Sequence, residues 1–434
     1  MQEARGASVV QESVSRAERL NRGCFCITLD RDALMVALNR EAGSLGFAQA
    51  LAISHASLFS NVQAFVPAET MVEMTRVVSA AEAAARLPSY GEAVLSWAPP
   101  IAGLDLGPIG VFMGYDFHVT PGGPKLIEIN TNAGGAFLNA VLARAQRTCC
   151  TEARVPFEIS PPRDFGLKIA GMFIDEWRRQ RGSGRPSMIA IVDDAPGEQY
   201  LMPEFRLAKA LLEEHGFEAV IADADELLFD GKAFLFQGRP VDLVYNRLVD
   251  FALAEPRHAA LQAAYIGGNV VVTPNPRAYA LFADKRNLTL FSDADRLRRW
   301  GLAQNHLDVL RAAVPVTVIV SPNNADALWQ DRRNLFFKPA RGHGSKAAYR
   351  GDKVTRKVWT EILAREYVAQ AYAAPGTRNV QLDEGRAERK IDVRLYTYAG
   401  TTLLAAARLY QGQTTNMRTP GGGFAPVLEV PTPC

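Results

Sequence analysis

The sequence predicts an α/β protein of two or three domains, one of them built on an open parallel sheet, and three observations carry that expectation. With 434 residues, 48% apolar and 22% charged, the chain has material for more than one large core. Strand-like and helix-like segments alternate from Met188 to Tyr245, as they do in a βαβ unit. The last third mixes short helices with apolar strands and holds the densest run of glycines and bases, Lys338-Pro-Ala-Arg-Gly-His-Gly-Ser-Lys346.

Charge narrows the partners. Lys and Arg total 48 against 46 Asp and Glu, a net +2 that favours neither nucleic acid nor an anionic membrane surface, so any phosphate binding has to be local. The N-terminal Met-Gln-Glu-Ala-Arg-Gly-Ala-Ser lacks the basic and apolar regions of a signal peptide, and no segment is apolar for long enough to span a bilayer, so a cytoplasmic location is expected. The five cysteines (Cys24, Cys26, Cys149, Cys150, Cys434) suggest reduced thiols. Adjacent residues bridge only with strain, and the Cys-x-Cys at 24 to 26 has no second half-site to complete a zinc centre.

Taken in order, residues 30 to 90 read as helices, with apolar spacing near 3.6 in Asp32–Leu38 and Met71–Ala85. An apolar run at Val111-Phe-Met, a Gly-Gly-Pro turn at 122 to 124 and a strand Leu126–Asn130 predict a hairpin, then a helix from about Gly135 to Gln146. A Pro-rich stretch at Ser160-Pro-Pro-Arg-Asp marks a boundary, so the expected regions are 1–164, 165–268 and 269–434. In the middle region the strands' carboxyl ends, where ligands of open sheets sit, fall at Asp193–Glu198 and Asn246-Arg247. No GxGxxG follows the first strand, which argues against a dinucleotide.

Several residues stand out chemically. On a period-two strand Glu128 and Asn130 share a face with Ile129 on the other. Two hard oxygens side by side suit magnesium, and Asp116 on the preceding strand offers a third across the ladder. Thr131-Asn-Ala-Gly-Gly135 is a small-residue turn opening a helix, where backbone amides can approach an anion. Lys338 ends a strand just before a loop in which Gly342, Gly344 and Ser345 allow close backbone approach to a phosphate, and Lys285 supplies a second ammonium. Asp392 and Arg394 share a strand face, Arg408 follows on the next strand, and Asn416 and Arg418 sit in a donor-rich loop. The six histidines form no metal set and no Ser-His-Asp grouping.

Together these segments resemble the ATP-grasp superfamily, and their order resembles its circularly permuted branch, typified by eukaryotic glutathione synthetase. Asp284-Lys285, Val314-Pro-Val-Thr317, Lys338-Pro339, Tyr367-Val-Ala-Gln370, Asp392-Val-Arg394 and Asn416-Met-Arg418 follow one another as in ATP-grasp ligases, while the final Glu-x-Asn-x-x-x-Gly element stands ahead of them all at Glu128 to Gly135. The stretch from Asp392 to Pro426 is also similar to the ligases that add glutamate to ribosomal protein. The resemblance implies a permuted ATP-grasp fold with an open parallel-sheet substrate domain at 165–268, a lid and nucleotide-binding domain at 269–434, and the permuted metal hairpin in 1–164.

By the same resemblance, ATP and two magnesium ions are the expected cofactors. Lys285 and Lys338 would bind the phosphates under the flap of Gly342, Gly344 and Ser345, and Asn416 would assist them. Gln370, Ala371 and Tyr372 would form the adenine hinge, mostly through backbone atoms, and Glu128, Asn130 and Asp116 would hold metal. Arg418 and Lys338 would act in catalysis, and Arg247, Glu198, Arg394, Arg408 and Arg418 would hold substrate. The implied activity is an ADP-forming carboxylate-amine ligase working through an acyl phosphate on a small molecule or peptide. A phosphotransferase or a silent ATP-binding regulator on the same fold are the competing readings. A carboxylate and an amine acceptor are the expected partners, and a homodimer is the working expectation for assembly. The chain departs from glutathione synthetase in having no carboxylate in Arg341-Gly-His343, Met113-Gly-Tyr where the family has an arginine, and Thr-Pro-Gly after Arg418. The acid and amine are therefore not expected to be those of glutathione synthesis.

Overall fold

The computed structural model describes residues 15–26, 29–145, 162–342, 347–416 and 418–431. Cys149, Cys150, Cys434, His343, Gly344 and Ser345 lie outside the described residues.

The largest sheet draws on both ends of the chain. It contains β1 (Ala64–Pro67), β2 (Met113–Thr120), β3 (Gly123–Asn130), and then, much later in sequence, β15 (Gly376–Leu382), β16 (Gly385–Tyr398), β17 (Thr401–Tyr410) and β18 (Gly423–Val430). Its order is β1-β18-β17-β16-β2-β3, with β15 and β2 sharing one edge of the long β16. The predicted hairpin is thus β2–β3, hydrogen-bonded antiparallel into the C-terminal strands. Alternation along β16 and β17 sends Val393, Leu395, Ala405 and Ala407 into one core, packed under the helices Ala68–Ala85 and Gln304–Ala313. Tyr396, Leu404 and Ala406 go to a second core on the opposite face.

The middle region is the expected open parallel sheet, in the order β10-β9-β4-β5 from β4 (Met188–Asp193), β5 (Glu218–Asp223), β9 (Leu243–Asn246) and β10 (Val271–Thr273). The helix Met202–Glu214 makes the β4-to-β5 crossover. A small antiparallel sheet of β6 (Leu227–Phe229), β7 (Phe234–Phe236) and β8 (Arg239–Pro240) precedes β9. The fourth parallel strand, Val271–Thr273, lies beyond the expected boundary at 268. Three residues are too few to show a pattern in the sequence.

The remaining sheet is antiparallel, β11-β14-β12-β13, from β11 (Thr317–Ile319), β12 (Leu335–Pro339), β13 (Tyr349–Arg350) and β14 (Tyr367–Ala371). It has its own core of Phe337, Trp359, Ile362 and Tyr367. Lys338 is on β12 and Gln370 on β14, so this sheet carries both. Among the described residues no helix is long and apolar enough to cross a membrane.

Candidate active site

A cavity of about 310 Å³ lies between the large sheet and the β11–β14 sheet, in the range of small-molecule sites. Its lining holds six cationic side chains (Lys285, Lys338, Arg350, Lys390, Arg394, Arg408) against three carboxylates (Asp116, Glu128, Asp392), a surplus that suits a polyanion.

A β-bulge shapes the strand that carries Glu128 and Asn130. Asp116 pairs with Glu128 but Phe117 pairs with Leu126, so Ile127 is an extra residue on β3. Strict alternation would put Leu126, Glu128 and Asn130 on one face. The bulge instead lets Leu126 join the core with Ile129, while Glu128 and Asn130 line the cavity. It also leaves the Ile127 carbonyl to accept a hydrogen bond from Lys338 Nζ at 2.6 Å.

Lys338 donates as well to Gln370 Oε1 at 2.8 Å, and Lys285 Nζ stands 3.2 Å from Glu128 Oε1 and donates to the Gly342 carbonyl at 3.1 Å. Burial pulls the Lys338 ammonium down to about 8, an effect that Glu128 opposes and Lys285 adds to. Burial alone would raise the Glu128 carboxyl, but Lys285 and Lys338 outweigh it and hold it below the usual value.

Beside this cluster a row of charges crosses the sheet. Arg408 on β17 faces Asp392 on β16, and Arg394 on β16 faces Asp116 on β2. Asp116 is 2% exposed. Its Oδ1 accepts from Arg394 Nε at 2.6 Å, and its Oδ2 from Arg394 Nη2 at 2.7 Å, Arg408 Nη2 at 2.8 Å and Asn130 Nδ2 at 3.1 Å. Gly114 makes room for the fork, since a Cβ there would lie 2.6 Å from Ala133 Cβ and 3.1 Å from Arg394 Nε. Asn130 spends its amide nitrogen on Asp116, which leaves its Oδ1 as an acceptor, and Asn130 and Glu128 both line the cavity with hard oxygens. That donor set fits a magnesium ion. The third expected ligand, Asp116, is instead bound up with two guanidinium groups.

Other expected residues are placed differently from one another. At the hinge, Ala371 N donates to Val316 O and Tyr372 N to Asn334 O, so those two amides belong to the sheet, and the Gln370 amide oxygen holds Lys338. What the hinge turns to the cavity includes the Tyr372 ring, stacked 4.5 Å under the Arg350 guanidinium, and Ala373. In the turn Thr131–Gly135 the last amide is not open to a ligand: Gly135 N donates to Oε1 of the fully buried Glu204, which caps the helix Ala136–Arg144. Arg247 is buried behind Gly134, between the rings of Tyr245 and Phe205, and its Nε has no hydrogen-bond partner among the described residues. Arg418 is exposed at the rim, 5.4 Å over the Tyr200 ring, and Asn416 next to it accepts from the Arg418 amide. Glu198 is exposed on the turn Pro196–Glu198 and does not line the cavity.

Sequence reasoning missed Phe336, Tyr410, His118, Arg350, Lys390, Tyr200 and Thr415, all in the lining. Lys390 and His118 were within reach, since each stands two residues from a residue already singled out (Asp392, Asp116) and so shares its face. Burial keeps the His118 imidazole below its ordinary value, so it is neutral at pH 7, with Nδ1 donating to Ala373 O at 2.7 Å. The aromatic residues gave no local signal.

No protein-family model matches the chain, and no curated protein matches it in sequence. The fold, however, is shared with a solved glutathione synthetase-like protein. A glutathione synthetase-like effector from Globodera pallida, solved in its apo form, aligns with a TM-score of 0.59 over 93% of this chain and 98% of that one, at 13% identity. A putative gamma-glutamylcysteine synthetase from Methylobacillus flagellatus gives 0.46 at 9% identity, over 81% and 84% of the two chains. The ATP-grasp ligase PsnB in complex with a minimal precursor gives 0.30 at 14%, over 57% and 90%. At 13% identity the likeness to the effector is one of fold.

Proposed function

We propose that this protein is an ADP-forming carboxylate-amine ligase that uses ATP and magnesium. The observation that carries the reading is the meeting of Lys285, Lys338, Glu128 and Asn130 in one cavity whose cations outnumber its carboxylates two to one. The two lysines hold phosphate oxygens, and Glu128 with Asn130 holds the metal, which when bound neutralises phosphate charge. Phe336, Ile127 and Tyr410 flank the base, and His118 fixes the Ala373 carbonyl beside it. The metal strand precedes the lysines in sequence yet pairs into the C-terminal sheet, which supports a permuted order of ATP-grasp elements.

In the reaction a carboxylate oxygen attacks the γ-phosphorus, ADP leaves, and an amine displaces phosphate from the acyl phosphate to form an amide. The chain contributes position and charge rather than a nucleophile. Arg418 at the rim and Arg247, with its unsatisfied Nε, favour an anionic substrate on the Tyr200 side. The substrate is a small molecule or a peptide. The test is ADP and phosphate release over a matrix of carboxylic acids and amines. Phosphate release that requires both an acid and an amine supports the ligase, whereas ADP with a stable phosphorylated product marks a phosphotransferase. Lys338→Met should abolish turnover, and near wild-type ADP release would sink the assignment.

A further inference from the structure

We infer that the cavity takes one divalent cation rather than two, with Arg394 and Arg408 standing where a second ion would. The inference rests on the nucleotide-site reading above. Glu128 and Asn130 supply one pair of oxygens. A second ion needs another carboxylate, and the lining has only Asp116 and Asp392 left.

Neither is available. Both oxygens of Asp116 accept from guanidinium groups, at 2.6, 2.7 and 2.8 Å. Asp392 accepts from Arg408 Nε at 2.5 Å and from the Thr415 hydroxyl at 2.6 Å. The two carboxylates are 2% and 1% exposed, so an ion bound to either would sit against an arginine with little water between them to screen the repulsion. An arginine cannot relieve this by losing its proton.

The arrangement is built into the backbone rather than adopted by rotamer choice. Arg408 and Asp392 are direct cross-strand partners, as are Arg394 and Asp116, and Gly114 leaves the space that the Arg394 fork fills. The sequence Arg341-Gly-His-Gly-Ser-Lys346, which follows β12, contains no carboxylate. Two guanidinium groups carry the charge of one divalent ion and add planar N–H forks suited to phosphate or carboxylate oxygens.

The test is a count of bound Mn²⁺ by electron paramagnetic resonance with a saturating non-hydrolysable ATP analogue on the full chain. One Mn²⁺ per chain with no Mn–Mn coupling is expected, and two coupled ions overturn the inference while leaving the nucleotide site intact. Absence of both ion and analogue overturns the nucleotide-site reading and this inference together. Arg408→Gln uncovers Oδ1 of Asp392, removes one of the three donors to Asp116 Oδ2, and should admit a second, weaker ion coupled to the first. A folded variant that still binds one ion would show that the arginines do not stand in for the other.

Discussion

Replacing Asp116 by Asn keeps the side chain's shape and one acceptor but removes the charge between two buried guanidinium groups. Burial alone would raise the Asp116 carboxyl, yet Arg394 and Arg408 outweigh it and bring it to about 2 from an ordinary 3.8. A shift of just under two pH units corresponds to roughly 2–3 kcal/mol of stabilisation. Breaking a buried ion pair from one side typically costs about 3–5 kcal/mol, because the remaining charge stays buried. A loss of about 3 kcal/mol at neutral pH is therefore expected, measured as the free energy of urea unfolding. A carboxylate with a depressed folded value stabilises above its unfolded value and loses that contribution as pH falls through the folded one. The gap between wild type and variant should accordingly close from about pH 4 to about pH 2. A gap below about 1 kcal/mol at neutral pH, or one that does not change with acid, would refute the account of Asp116 as the anchor of this row.

Other expectations follow from the same geometry. Gly114→Ala puts a methyl 2.6 Å from Ala133 Cβ and should cost about 1–3 kcal/mol in urea unfolding, with no loss predicted if the strand were free to shift. Burial would lower the His258 imidazole, but its hydrogen bonds to Asp194 and Asp250 raise it above 6.5. Its stabilisation is complete below the unfolded value and fades as pH rises through the folded one, so His258→Gln should destabilise more at about pH 6 than at about pH 9, and equal losses would contradict this. Glu198→Ala, on an exposed turn outside the cavity, should change unfolding by no more than about 0.5 kcal/mol and leave analogue affinity within about twofold.

Much of this site was legible because its signals are local. Period two placed Glu128 with Asn130 and Asp392 with Arg394, and both pairs do line the cavity. A lysine ending an apolar strand before a glycine-rich loop put Lys338 where a phosphate site needs it. The alternation from Met188 to Tyr245 gave the parallel sheet, because each crossover is completed within a few dozen residues.

What stayed hidden depends on residues far apart in the chain. Asp116 was expected to face a metal ion, but Arg394, 278 positions later, takes its oxygens. The turn at Gly135 was expected to receive a ligand's anion, and Glu204 from the parallel-sheet region fills that place. The hinge was expected to meet adenine mostly through backbone atoms, and two of its amides, on Ala371 and Tyr372, bond instead to Val316 and Asn334. The Ile127 bulge exists only as a register between two strands, and its carbonyl meets Lys338 from 211 residues away. The sequence by itself determined which chemical groups the chain brings to its strand faces, since alternation and loop composition are set by near neighbours. The tertiary structure alone decided which of those groups remain open to a ligand, because pairing among distant strands chooses the partner that each charge meets first.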